Sequence, residues 1–123
     1  MKKVQVNQSV AEAAEHIKKS VSEKGFTIFA DIDHQANAKG ADLEMPEARV
    51  LIFGNPVAGT NLMLKDISVS FDLPLRIAIA DVNGQTTLMH MSEEDFTNSY
   101  DIGGHPVLEK VQGLFAKLVS ELN

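Results

Sequence analysis

The chain has 123 residues, 44% of them hydrophobic and 23% charged, with seventeen acids against eleven bases and a formal charge of -6. Those proportions are ordinary for one soluble globular domain spanning residues 1–123, and they exclude a disordered or membrane-embedded chain. The absence of cysteine removes disulfides, thiol nucleophiles and thiolate metal centres, and the bases are too scattered to make the concentrated positive field that nucleic acid requires.

Lys2, Val4 and Val6 alternate as a short strand, and no apolar run follows Met1-Lys2-Lys3 to make a signal peptide or a span, so a cytoplasmic protein without membrane partners is expected. Ser9 opens a helix, with Glu12 completing a capping box; Val10, Ala13, Ala14, Ile17 and Val21 form its apolar stripe and Gly25 ends it. Phe26 to Asp33 alternates as a half-buried strand, which predicts that Phe26, Ile28, Ala30 and Ile32 share the face that meets the helices.

Asp33 is a ready cap for a short helix from His34 to Lys39, stopped at Gly40. Ala48 to Phe53 reads as a mostly buried strand. Asn55 caps and Pro56 starts a helix that runs to about Asp66, and Ile67 to Asp72 is a helix end or irregular. Leu75–Val82 and Gln85–Met91 flank Asn83-Gly84, the strongest hairpin signal in the chain. Ser92 to Asp95 starts a short helix broken by Gly103-Gly104, and after Pro106 the stripe Val107, Val111, Leu114, Leu118 and Leu122 makes a closing helix. A hairpin beside helices that need a common surface defines an α+β domain: one largely antiparallel sheet with the long helices on one face.

Several of these residues recur together in a known pattern. Asp33-His34 with Ala36, Ala38 and Gly40, then Phe53-Gly54-Asn55-Pro56, Gly59-Thr60, Leu62-Met63, Asp72-Leu73-Pro74-Leu75 and the Gly84 hairpin resemble the family of domain of unknown function 302 over roughly residues 20 to 102. The resemblance implies a β-α-β4-α topology, also seen in TATA-box-binding-protein-like folds, and a domain that is often dimeric; it implies no activity. DNA binding does not follow from a shared topology, and the net charge has the wrong sign for it. The chain departs from the family pattern at His90, where a tyrosine is frequent, and at Ile67, where a proline is frequent.

Chemistry is sparse. Phe53-Gly54-Asn55-Pro56 could bring backbone N–H groups to an anion at a helix start, but Pro56 removes one donor and no P-loop lysine follows, so a structural corner with a pocket beside it is the favoured reading. Asp31, Asp33 and His34 could contribute to a divalent-metal site or proton relay, yet Asp33 serves equally as a cap and too few ligands are visible. His16 and His105 fit polar-flank and cap positions. His90 alternates with Met89 and Met91; with the methionines in the core, it would be exposed or lie against a dimer partner. The four methionines Met45, Met63, Met89 and Met91 read as core fillers.

The expectation is therefore a non-enzymatic homodimeric module binding a small ligand or protein partner, with no cofactor and no metal, and with His34, Asp33, Asn55, Thr60 and His90 as ligand-binding candidates. The alternative is an enzyme or metal-dependent protein centred on His34.

Overall fold

The punctuation residues fall at element boundaries. In the computed structural model, which describes residues 1–123, the order is β1 (Lys2–Gln5), α1 (Val10–Glu23), β2 (Thr27–Asp33), α2 (His34–Gly40), β3 (Ala48–Gly54), α3 (Pro56–Lys65), a 3-10 helix (Ile67–Asp72), β4 (Leu75–Val82), β5 (Gln85–His90), α4 (Glu93–Ser99) and α5 (Pro106–Glu121). Ser9 and Glu12 cap each other reciprocally at the start of α1, and Ser92 and Asp95 do the same for α4. His105 caps α5 by accepting from the Val107 N–H at 3.1 Å, so its imidazole serves the helix start. Asn83 and Gly84 carry φ values of 53° and 86°, the positive pair that a two-residue primed hairpin turn demands.

The five strands form one antiparallel sheet in the order β1-β5-β4-β3-β2. After β1, the helix α1 carries the chain to the opposite edge, where β2 begins a meander that returns strand by strand to β5 beside β1. With α2, α3, the 3-10 helix and α4 as additions in the connections, this is the expected β-α-β4-α arrangement in an α+β domain. The long helices α1 and α5 cover one sheet face, and 23 buried hydrophobic residues form one core beneath them. Phe53 lies at its centre, edge-to-face with Phe26 at 5.7 Å and Phe115 at 6.5 Å, a geometry worth about 0.5–1.5 kcal/mol per pair beyond area burial.

Two side-chain assignments differ from the sequence expectation. A bulge in β2 pairs Ile28 with Phe53 but Ala30 with Ile52, so the alternation slips by one at Phe29. Ile28 keeps to the helix face, whereas Ala30 and Ile32 turn to the outer face and Asp31 joins Leu51 on the helix side. In β5 the methionine–histidine alternation runs opposite to expectation. His90 is only 5% exposed and stacks on Phe115 with ring centroids 3.9 Å apart, while Met89 pairs with Ala78 on the outer face. Met63 and Met91 pack against the core as expected, but Met45 is exposed.

The outer face has no helix layer over it. Ile32, Val50, Ile52, Ala78, Ala80 and Met89 lie on it, each only half-buried.

Candidate functional site

A well-formed concavity lies where the sequence placed its corner. Strand β3 ends at Gly54, Asn55 turns the chain, and Pro56 begins α3; the Asn55 Oδ1 accepts from the N–H groups of Val57 and Ala58 at 3.0 and 3.4 Å. All three corner residues line a cavity of about 380 Å³, within the usual range for small-molecule sites. Gly54 is favoured there by close approach, since a Cβ would stand a tight 3.2 Å from the Cβ of Pro74 and 3.5 Å from the Phe29 ring.

The walls come from four elements. One face of α3 supplies Gly59, Thr60, Leu62 and Met63; the 3-10 helix supplies Ser70; Leu73, Pro74 and Leu75 lead into β4; and α5 contributes Val107 and Val111. Leu62, Leu75, Val107 and Val111 are buried and form the floor, whereas Phe29, Pro56, Thr60, Ser70 and Pro74 are exposed and form the rim. No Asp, Glu, His, Lys or Arg lines the cavity. Its polar groups are the neutral side chains of Asn55, Thr60 and Ser70, which gives it hydrogen-bonding capacity without acid, base or formal charge.

The five predicted ligand residues therefore separate. Asn55 and Thr60 line the cavity. Asp33 caps α2 by accepting from Ala36 N–H at 2.9 Å, and His34 is exposed on that helix. They stand at the far end of the β2–β3 ladder, because Thr27 pairs with Gly54 whereas Asp33 pairs with Arg49; six residues of strand put about 20 Å between them and Asn55. His90 is buried under α5, where its Nδ1 donates to the Met91 carbonyl at 2.9 Å, and burial holds its pKa below the ordinary value. No three His, Asp or Glu side chains gather closely enough to hold a metal.

The remaining polar clusters join elements. Asp31 accepts from Arg49 Nε at 3.1 Å and Lys18 at 2.7 Å, tying α1 to the edge of the sheet. Burial alone would raise its pKa, but these hydrogen bonds outweigh it and hold the carboxyl below its usual range. Glu121 accepts from Ser20 at 2.7 Å and pairs with His16 at 3.3 Å, fastening the end of α5 to α1. Tyr100 and Arg76 both donate to Asp72, and that bond pushes the Tyr100 phenol up to about 12.

Sequence reasoning missed the floor and half of the rim. Val107 and Val111 read as part of the apolar stripe of α5, Leu62 and Leu75 stood out only within the family pattern, and Phe29 was hidden by the bulge; all four floor residues belong to the core. Gly59 was the one local signal available, a glycine inside a helix where alanine would be more stable by about 1 kcal/mol.

A five-stranded antiparallel sheet with helices on one side and an uncharged cavity at the β3–α3 corner defines a small α+β domain. The chain belongs to the family described as Domain of unknown function DUF302, which it matches over residues 2–121. It is similar in fold to an uncharacterized conserved DUF302 protein from Bacillus stearothermophilus, whose crystal structure superposes with a TM-score of 0.84 at 16% identity, covering 99% of this chain and 97% of the other. Among curated proteins it is 38% identical over 86 residues to fluoride-specific ion channel FluC 1 from Brucella suis, and equally to FluC 1 from Brucella abortus. Those matches cover 69% of this chain but only 34% and 32% of the Brucella proteins, so the chain spans about a third of the length of these relatives. No helix of this chain is long and apolar enough to cross a membrane.

Proposed function

We propose that this domain is a non-enzymatic binding module, cytoplasmic and homodimeric, that holds a small molecule in the cavity between α3, the 3-10 helix and α5. The observation that carries the reading is the lining: about 380 Å³ of apolar space with three neutral polar side chains and no titratable group to move a proton. The homodimer is supported by the outer sheet face, where Ile32, Val50, Ile52, Ala78 and Met89 present apolar surface that no helix covers. A site around His34 has no comparable support, since His34 is exposed and about 20 Å from the cavity corner.

The Brucella channels enter this reading only as longer relatives. The shared segment is about a third of their length, and fluoride conduction is assigned to neither the cavity nor the sheet of this chain.

A thermal-melt screen of neutral and charged small molecules against the purified protein tests the ligand half. Neutral apolar compounds are expected to raise the melting temperature in proportion to their affinity, and a screen in which no compound stabilises the fold would contradict the pocket. Light scattering during size-exclusion chromatography tests the other half: a strictly monomeric species at tens of micromolar would refute the dimer.

A further inference from the structure

The cavity also constrains the kind of molecule it can take. From its geometry we infer that the ligand, on the reading above that the cavity is a binding site, is an uncharged, chain-like amphiphile: an apolar tail of medium length with a neutral hydrogen-bonding head such as a hydroxyl, ester or amide.

Three observations lead to this class. The first is a gradient from floor to rim. The buried floor is wholly aliphatic, formed by Leu62, Leu75, Val107 and Val111, while two of the three polar groups, Thr60 and Ser70, are on the exposed rim. A ligand polar at its inner end would leave that group without a partner, whereas one with its polar end outward meets the hydroxyls of Thr60 and Ser70.

The second observation is charge. Nothing in the lining can pair with a carboxylate, phosphate or ammonium group. Lys65, the nearest base along α3, is about 150° around the helix from the middle of the lining face, and Arg76 is engaged by Asp72 at 2.8 Å. Asn55 has already committed its carbonyl oxygen to the Val57 and Ala58 N–H groups, which leaves its amide NH2 as a neutral donor. A charged head would therefore be desolvated without compensation.

The third is size and continuity. At roughly 30 Å³ for each water-sized group, about 380 Å³ holds about a dozen non-hydrogen atoms. The apolar surface does not stop at the mouth. Val57 and Leu64 are 72% and 80% exposed and lie beside Thr60 on α3, at about 100° and 80° around the helix from Pro56. Ile67 is 74% exposed and eclipses Ser70 in the 3-10 helix, where residues three apart stack. The surface flanking the rim is thus apolar as well.

The test is a head-group series on one tail. The full chain, labelled with nitrogen-15, is titrated with 1-decanol, decanoate and decylamine below their aggregation concentrations, and amide shifts are followed by NMR. The expected result is saturable shifts at Gly59, Ser70 and Leu75 with 1-decanol, affinity at least ten-fold weaker for decanoate and decylamine, and several-fold weaker 1-decanol binding in Thr60→Val/Ser70→Ala. Equal or tighter binding of either charged probe with shifts at those same amides would overturn the head-group assignment and leave the pocket reading intact. Shifts confined to the outer sheet face, or none with any probe, would overturn both.

Discussion

Gly59 offers the sharpest test of whether the cavity is open space or a packing requirement. It lies inside α3, its N–H donating to the Asn55 carbonyl at 2.9 Å, and a Cβ built there would meet only the Leu73 Cδ1, at an ordinary 3.9 Å. Gly59→Ala should therefore gain the helix-propensity difference of about 0.8–1 kcal/mol without strain. At about 2.1 cal/mol/K per residue, unfolding a domain of 123 residues carries about 0.26 kcal/mol/K, so the gain corresponds to a rise in melting temperature of about 3–4 °C. Gly59→Leu should also fold, with its four side-chain carbons taking roughly a third of the cavity at about 30 Å³ each. Thermal melts by circular dichroism, with and without 1-decanol, read both effects. The account predicts that Gly59→Ala is stabilised and that Gly59→Leu folds but loses most of the ligand-induced shift. A Gly59→Ala protein less stable than the parent by 1 kcal/mol or more would refute the reasoning, because the space beside Gly59 would then be occupied by the fold itself.

Gly113 is the matching control: it is exposed in α5 with nothing within 4 Å of its built Cβ, so Gly113→Ala should also raise the melting temperature by about 3–4 °C and leave 1-decanol binding unchanged. Phe115, 2% exposed and packed against both Phe53 and His90, should cost about 3–5 kcal/mol when cut to alanine, a drop of about 12–19 °C in the same melts. His90 makes stability pH-dependent: burial lowers its folded pKa below 6.5, so the unfolded state binds more protons and stability is lost as pH falls from about 6.5 towards the lowered value. His90→Phe keeps a ring against Phe115, and the Met91 carbonyl retains Gln112 as a donor, so urea midpoints from pH 7.5 to 5.5 should fall more for the parent than for the variant; parallel profiles would contradict the assignment.

The fold was legible because local signals and topology agreed. Ser9–Glu12, Asn55-Pro56 and Asn83-Gly84 each specify backbone geometry within a few residues, and each stands at the boundary it predicts. The face assignments of β2 and β5 were less legible for one reason: period-two alternation shows which residues share a face, not which face is covered. At Phe29 a bulge breaks even that alternation, and nothing in Thr27-Ile28-Phe29-Ala30 announces it.

The cavity was half legible for a related reason. Asn55 and Thr60 stand out as polar residues near a corner, but its floor is built from aliphatic residues of α3, β4 and α5 that come together only in the folded chain. Periodicity classes Val107 and Val111 as core, and all four are core on one side. His34 and Asp33 stood out because histidine and aspartate carry reactive groups, yet Asp33 is used for the backbone and His34 faces solvent.

The central claim is that a small molecule binds between α3, the 3-10 helix and α5, and methyl NOE contacts from a bound neutral probe test it most directly. The account predicts contacts from the probe to the methyls of Leu62, Leu75, Val107 and Val111. Contacts only to Ile52, Ala78 and Met89 on the outer sheet face would contradict it.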